Sequence, residues 1–336
     1  MGHPATNPTS SGTGIAVVVP SYRRPELLRL CLEALSLQTE AAKEIVVVCR
    51  AGDGATAAEL AEWPRIRAVV VEDAGVVAAM SAGVAATAAE IVAFTDDDAA
   101  PRPDWLATLH RHFCDPAVGA VGGRDVVDRP TQAGPLTQRV GKIERSGRVT
   151  GNHHLGCGAA RDVAVLKGVN MAFRRPVLSF PSGLRGSGAQ VDFEVACCLA
   201  AADRGWRLVY DPEAVVDHTV GPRFDADRRQ RPERTAVSDA AYNRLAMLLS
   251  LRPWLGVRRA IFGLLIGERA TPGLARAVAA LARGEGDVLH RLLPSLSGQL
   301  VAIVDVLRGR RVRMMGPGAH APGATPVARA SASNTR

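Results

Sequence analysis

Glu90-Ile91-Val92-Ala93-Phe94-Thr95-Asp96-Asp97-Asp98 is an apolar run that ends in three consecutive carboxylates. The run reads as a buried strand, and the acids then stand at its C-terminal end, where open α/β sheets bind ligands. Three adjacent carboxylates repel one another and call for a positive partner. A divalent metal carrying a nucleotide diphosphate meets that need, because Mg2+ and Mn2+ take oxygen ligands. A solvated turn or the first turn of a helix also accommodates acids, so the triplet by itself leaves both readings open.

The residues before the triplet repeat one pattern. Ile15 to Val19, Ile45 to Cys49 and Ala68 to Val71 are short apolar runs. Each is followed by a segment of helical period: Pro25 to Gln38 with Leu27, Leu28, Cys31, Leu32 and Leu35, then Ala55 to Glu62, then the Ala-rich stretch Val76 to Ala88. Pro25 suits a first helical turn. After the triplet, Pro103 to Phe113 reads as a helix and Gly119 to Asp128 as a strand. Near-continuous apolar strands alternating with helices predict an α/β, Rossmann-like, mostly parallel sheet covered on both faces. No GxGxxG follows the first strand and no Walker loop occurs, so a glycine-rich phosphate cradle is not supported.

Composition narrows the partners. The chain has 336 residues, 47% hydrophobic and 4% aromatic, enough for a large aliphatic core. Its formal charge of +8 and pI near 9.7 suit acidic partners such as nucleotides or anionic lipids. Nucleic acid is the least favoured of them, since stacking aromatics are few and no zinc-finger or RNA-recognition signature is present. None of the six cysteines forms a CxxC pair, which fits a reducing, cytoplasmic setting. Residues 1–14 carry no apolar signal region, and residues 1–14 and 316–336 read as disordered tails.

The second half is less periodic. Residues 130–162 form a long basic, glycine-punctuated segment with Arg139, Lys142, Arg145, Arg148 and Arg161. It reads equally as a solvated loop or as one that closes over a ligand. His153-His154 lacks a cysteine partner at zinc-ligand spacing. Asp192 to Arg204 reads as a helix stopped by Gly205, followed by two short strands, Trp206 to Tyr210 and Ala214 to Val216. From Thr235 to Arg311 the pattern is helical, with breaks expected at Pro253, Gly256, Gly267, Pro272 and Pro294. Its apolar faces are interleaved with arginines, as in a helix lying at a membrane interface or packed on its own domain. Arg252, Arg258 and Arg259 interrupt Leu245 to Gly267, so no stretch suits a bilayer span.

Several of these blocks, taken in order, resemble family 2 glycosyltransferases. They are Val17-Val18-Val19-Pro20-Ser21-Tyr22-Arg23-Arg24, then Gly75 with Ser81-Ala82-Gly83, then Ile91 to Asp98 with Pro103-Asp104-Trp105-Leu106. Lys167-Gly168-Val169-Asn170-Met171-Ala172-Phe173-Arg174-Arg175 and Gly205-Trp206-Arg207 through Val216-Asp217-His218 complete the series. The resemblance covers about residues 15–220. It implies a GT-A fold with a DxD motif: a nucleotide-sugar half over 15–128, an acceptor half over 129–225, and C-terminal helices over 226–315. It also implies inverting transfer from a nucleotide-sugar donor to a saccharide or lipid-linked acceptor hydroxyl, in cell-surface polysaccharide or glycolipid synthesis. Mg2+ or Mn2+ would be held by Asp96 and Asp98, with His218 completing the site and Asp97 contacting ribose or positioning its neighbours. Pro20, Ser21, Tyr22, Arg23 and Gly75 would contact the donor.

Three departures from the family pattern stand out. The helix closed by Gly205 places the general base at Glu194 instead of an aspartate, preceded by Phe193 instead of an acid, with Asp192 as the backup. The base-reading acids are replaced by Cys49 and Arg50, with Asp53 the nearest carboxylate, which leaves UDP, dTDP and GDP donors all open. Met80-Ser81 stands where relatives carry Arg-Asn, so Arg23, Arg161 or Lys167 is expected to supply the phosphate-side charge. Two other functions remain. A nucleotidyltransferase would carry a glycine-rich, lysine-containing signature after the first strand, absent here. A non-catalytic scaffold on the same fold would bind donor without turnover. Peripheral association with the cytoplasmic face of a membrane is the expectation for the C-terminal helices.

Overall fold

The computed structural model describes residues 14–127, 134–228, 232–320 and 324–326. The first half follows the expected alternation: β1 (Ile15–Ser21), α1 (Pro25–Ser36), β2 (Glu44–Arg50), α2 (Gly54–Ala61), β3 (Arg67–Val71), α3 (Val76–Ala85), β4 (Ile91–Phe94), β5 (Ala99–Pro101), α4 (Trp105–His112) and β6 (Val118–Val127). Small strands follow at β7 (Lys142–Ile143), β8 (Val149–Thr150) and β9 (Arg161–Asp162). Then come β10 (Met171–Arg174), β11 (Phe180–Ser182), α5 (Phe193–Asp203) and β12 (Arg207–His218). The chain continues through α6 (Arg234–Leu251), α7 (Pro253–Leu265), α8 (Leu274–Ala282), α9 (Gly286–Leu307), β13 (Arg313–Met315) and β14 (Thr325–Pro326).

The central sheet runs β14-β3-β2-β1-β4-β10-β6-β12-β5, with β9 on β12. Strands β3, β2, β1 and β4 are parallel, with Val18 paired to Val46 on one side and to Phe94 on the other. β10 then enters antiparallel between β4 and β6. Successive residues of a strand face opposite sides, and β1 divides its valines accordingly. Val18 packs with Met80, Val84 and Phe173 under α3 and α5. Val17 and Val19 pack with Leu28, Leu32 and Trp105 under α1 and α4. This two-sided burial explains the unbroken apolar runs. The C-terminal helices form a third core in which Leu245 and Leu248 of α6 and Ala302 of α9 meet Ala196 and Leu199 of α5.

Four expectations differ. The two short strands expected at 206–216 are one strand, β12, whose register on β6 shifts between Asp211 and Val215. Neither Gly256 nor Pro294 breaks its helix: α7 runs through the one and α9 through the other, and both residues are buried against neighbours. Part of the segment expected as a tail from residue 316 is folded: β14 pairs with β3, and the Gly318 N–H donates to Ser81 Oγ at 2.9 Å. Among the described residues of the long basic segment, β7 and β8 form a hairpin and β9 joins the sheet. Residues 1–13 of the expected N-terminal tail lie outside the described residues.

β6 reaches the functional end of the sheet through a tight passage. A Cβ on Gly123 would stand 1.9 Å from the Ala214 carbonyl oxygen, a backbone atom that cannot rotate aside. Gly123→Ala is therefore expected to lower stability by about 3 kcal/mol, the upper range for overpacking a filled interior. Urea unfolding should show the midpoint falling with an unchanged slope.

Candidate functional site

β2 and β3 lie on one side of β1 and β4 lies on the other, so the gap at the C-terminal ends of β1 and β4 is a topological switch point. Both strands deliver polar residues there. Ser21, the last residue of β1, donates from Oγ to Asp97 at 2.8 Å. Arg24 pairs with Asp97 at 2.5 Å and with Asp98 at 2.7 Å. The Gly221 N–H donates to Asp98 Oδ2 at 2.8 Å, and the Thr219 N–H to the Asp98 carbonyl at 2.9 Å. The C-terminal end of β12 is thereby fastened to the acid triplet.

His218, the last residue of β12, lies between two carboxylates: Nε2 is 3.2 Å from Asp98, and Nδ1 is 3.9 Å from Asp125 of β6. Asp125 in turn pairs with Lys167. Among the described residues, Asp96, Asp98 and His218 each offer a ligand atom, all within 4.8 Å of one another. Two carboxylate oxygens and an imidazole nitrogen suit a divalent cation. Asp125 behind the imidazole is the outer carboxylate that commonly fixes a ligating histidine.

Burial and mutual repulsion set the charges. Burial, and then the Asp98 charge, raise the Asp96 carboxyl. Asp97 is enclosed, and burial pushes it up to about 7 against the pull of Arg24. Burial also works to raise Asp98, but the His218 hydrogen bond and the Arg24 charge prevail and hold it well below the usual carboxylate range. Burial alone would lower His218; the flanking Asp125 and Asp98 carboxylates outweigh it and raise the imidazole to about 9.

A cleft of about 790 Å³, mouth included, opens beside Asp96. Pro20, Ser21, Tyr22, Arg50 and Gly75 line it. Arg50 stacks over the Tyr22 ring, 3.9 Å from its centroid, pairs with Asp225 at 3.0 Å and donates to the Ser187 carbonyl at 2.9 Å. Phe224 meets Tyr22 edge-on, with centroids 6.3 Å apart. Gly75 opens α3 at φ +117°, where a Cβ would stand 2.5 Å from Gln190 Oε1.

Other expected residues stand apart from the cleft. Asp53 caps α2, accepting from the Thr56 N–H at 3.2 Å and Thr56 Oγ1 at 2.6 Å, and it also accepts from the Arg23 N–H at 2.7 Å. Arg23 has φ +58°, and its guanidinium lies near the Tyr22 and Phe224 rings. Arg161 donates to the carbonyls of Cys157 and Ala159. Lys167 is engaged by Asp125. The positive charges at the cleft are instead Arg24, Arg50 and Arg223.

Asp192 and Glu194 open α5. Asp192 is buried at φ +72°, and Arg244 of α6 grips both its oxygens, at 2.6 and 3.2 Å. Arg244 also pairs with Glu268, which pairs with Arg259 of α7 at 3.0 Å. Glu194 lies in the first turn of α5. Loss of hydration, and then the Asp192 charge, push its carboxyl up to about 7. The Lys167 charge acts on both Glu194 and Asp125, which ties the two acids into one electrostatic region.

Sequence reasoning missed Arg24, Asp125, Asp225 and Arg244. Asp125 left one trace, an acid that with Arg124 interrupts an otherwise apolar and glycine-rich strand. The others depend on contacts between residues far apart in the chain.

A family model described as glycosyltransferase like family 2 matches residues 12–234. The pre-mycofactocin glycosyltransferase of Mycobacterium tuberculosis is 30% identical over 151 residues, which are 43% of this chain and 30% of that protein's length. Glycosyltransferase AglE of Haloferax volcanii is 25% identical over 233 residues, 66% of this chain and 72% of that protein. Among solved structures, the mannosyltransferase PcManGT from Pyrobaculum calidifontis, in complex with GDP-Man and Mn2+, aligns over 88% of each chain with 22% identity and a TM-score of 0.50. GalNAc-T7 with UDP, GalNAc and Mn2+ aligns over 72% of this chain and 48% of its own, with 12% identity and a TM-score of 0.57. These likenesses establish the GT-A fold.

Removing one partner from a buried ion pair leaves a charge without compensation. Arg244→Ala is therefore expected to cost about 3–5 kcal/mol, read by urea unfolding. Arg244→Lys should cost less, because it keeps the charge but not the two-point grip on Asp192.

Proposed function

We propose that this chain, which belongs to the glycosyltransferase like family 2, transfers a sugar with inversion from a nucleotide-sugar donor to an acceptor hydroxyl in a metal-dependent reaction. The observation that carries the reading is the Asp96, Asp98 and His218 group at the rim of a cleft walled by Tyr22 and Arg50. A GT-A fold provides a donor half, and its residues from Pro20 to Asp96 line one side of the cleft, with Ser187 and Arg223 to Asp225 on the other. A nucleobase fits against the Tyr22 and Arg50 wall, and the diphosphate then points toward Asp96. Neighbours of the same fold were solved with GDP-Man or UDP and Mn2+, which supports a nucleoside diphosphate sugar as donor. The acceptor is a saccharide or a lipid-linked hydroxyl compound, and cell-surface polysaccharide or glycolipid synthesis is the pathway class.

Asp96, Asp98 and His218 would hold Mg2+ or Mn2+. Bound there, the ion supplies Lewis-acid stabilisation of the charge on the departing diphosphate. Asp125 orients the His218 ring, and Ser21 and Arg24 fix Asp97 beneath the site. Arg223 lines the cleft and its charge acts on Asp96, so it also faces developing negative charge. Glu194 is the general base. It accepts the acceptor hydroxyl proton as the oxygen bonds to the anomeric carbon, while the bond to the diphosphate breaks and its electron pair leaves with the nucleotide. Asp192 supports Glu194 by position, its own oxygens being held by Arg244.

Three outcomes follow. Nucleoside diphosphate with Mn2+ should raise the melting temperature of the wild-type chain, since a ligand that binds the native state stabilises it. The shift should vanish with EDTA and in Asp98→Ala and His218→Ala. No metal-dependent shift with any nucleoside diphosphate would overturn the reading. Glu194→Gln should keep the nucleotide shift yet lower kcat by about 10²–10⁴, the usual worth of a general base. Only the deprotonated carboxylate can take a proton, so kcat/KM should fall about tenfold per pH unit below the Glu194 midpoint of about 7 and level off above it. A rate that stays flat from acid to alkaline pH would remove Glu194 from the base role.

A further inference from the structure

The C-terminal helices carry a second surface, remote in kind from the cleft. α7 buries Gly256, Arg259 and Gly263. At about 100° per residue, the opposite side of the helix holds Trp254, Val257, Ile261, Leu264 and Leu265. These are exposed, Trp254 at 85% and Ile261 at 55%. A soluble helix normally turns such a stripe inward; here the small and polar face is inward and the apolar face is outward. Exposed Ile266 continues the apolar surface past α7. α8 then exposes Leu274, Val278 and Leu281 while burying Ala277 and Ala280.

Charge around this surface is predominantly positive, with Arg252 paired to Asp203 and Arg283 to Glu285. From Arg252 to Arg283 there are six arginines and a single carboxylate, Glu268. That carboxylate is occupied by Arg244 and Arg259. The β7–β8 hairpin adds exposed Lys142, Arg145 and Arg148. Its turn abuts α7: a Cβ on Gly147 would stand 2.8 Å from Arg259 Cβ and 3.1 Å from the Leu255 carbonyl oxygen. The basic segment of the sequence and the exposed apolar helix are therefore neighbours.

We propose that the outward face of α7 and α8, with the β7–β8 hairpin beside it, docks this protein on an anionic lipid bilayer. Aliphatic and tryptophan side chains enter the boundary of the acyl region while arginines meet the headgroups, which is the chemistry of an interfacial helix. No described helix is long and apolar enough to cross a membrane, so the contact is shallow. Symmetric pairing with a second copy is disfavoured by the same charges, because an isologous interface brings a patch against itself and would set arginine against arginine. The inference holds independently of what the cleft transfers.

The test uses the full chain with vesicles of pure phosphatidylcholine and vesicles rich in phosphatidylglycerol, separated by flotation at physiological ionic strength. The wild type should float with the anionic vesicles, and roughly tenfold less with the neutral ones. Ile261→Asp and Leu265→Asp should each weaken binding by roughly tenfold or more without lowering the melting temperature, since both side chains are exposed. Arg145→Ala with Arg148→Ala should weaken binding and flatten its salt dependence. Brominated lipid should quench wild-type tryptophan fluorescence, and Trp254→Phe should abolish that quenching. Three results would overturn the proposal: no flotation of the wild type with anionic vesicles, unchanged flotation of Ile261→Asp, or a wild-type dimer that Ile261→Asp splits in the absence of vesicle binding.

Discussion

Three consecutive carboxylates at the buried end of a central strand set the terms for the surrounding structure. Like charges this close cannot all remain ionised in a poorly solvated site unless cations and donors are brought to them. The chain brings them from four places. Ser21 and Arg24 come from the end of β1 and the start of α1, the Gly221 N–H from the segment after β12, and His218 from β12 itself. Asp125 and Lys167 then extend the line of alternating charge into the other half of the sheet. β4 and β12 are separated in the sheet by β10 and β6, yet their ends converge: β5, which follows the triplet, pairs with β12 from Ala99 opposite His218. The triplet is thus an organiser of the fold as well as a candidate ligand set.

That dependence explains what could be read from the sequence. Apart from the short β5, the elements from Ile15 to His112 are legible because local period fixes them: β-branched runs in a sheet covered on both faces, and helices with one apolar stripe. Asp96, Asp98 and His218 are legible because they end strands whose positions are recognisable. Arg24 is not. Two adjacent arginines follow Tyr22, and nothing local says which turns toward the acids. The choice is made by backbone, with Arg23 at φ +58° donating its N–H to Asp53 while Arg24 faces the triplet. β12 is not legible as one strand because Asp211-Pro212 interrupts its apolar run, whereas pairing with β6 carries the chain through with a register shift. β14 is too short to announce itself and exists by pairing with β3.

The Tyr22 and Arg50 end of the cleft, where we propose the nucleobase binds, shows how a lost residue type can be replaced from elsewhere. Arg50 stands where the family pattern expects an acid, so the end of β2 supplies donors instead of acceptors. Asp225, distant in sequence, supplies the acceptors by pairing with Arg50. A base placed against this wall would meet guanidinium donors and carboxylate oxygens side by side. Asp53, the carboxylate nearest in sequence, is occupied as the cap of α2 and as the partner of the Arg23 N–H. Proximity along the chain was a poor guide because a helix N-terminus competes for the same side chain.

The start of α5 presents the corresponding problem for proton transfer. Gln190 and Asp192 both adopt left-handed backbone, at φ +42° and φ +72°, conformations that cost non-glycine residues about 1–3 kcal/mol each and persist only where surroundings enforce them. The surroundings do so from both sides. Gln190 Oε1 accepts from the Val77 N–H at 3.0 Å, at the entrance to α3 and the cleft. Arg244 holds Asp192 from α6, and through Glu268 it is joined to Arg259 of α7. An aspartate gripped on both oxygens by a guanidinium has lone pairs already occupied by hydrogen bonds. Glu194, next along the helix and raised by loss of hydration, has no such grip on it from Arg244. The same ion network that holds Asp192 braces the turn from which Glu194, the proposed base, projects, and it runs on into the helix whose outer face is apolar. α7 is joined to that turn by the ion pairs of Arg259, Glu268 and Arg244.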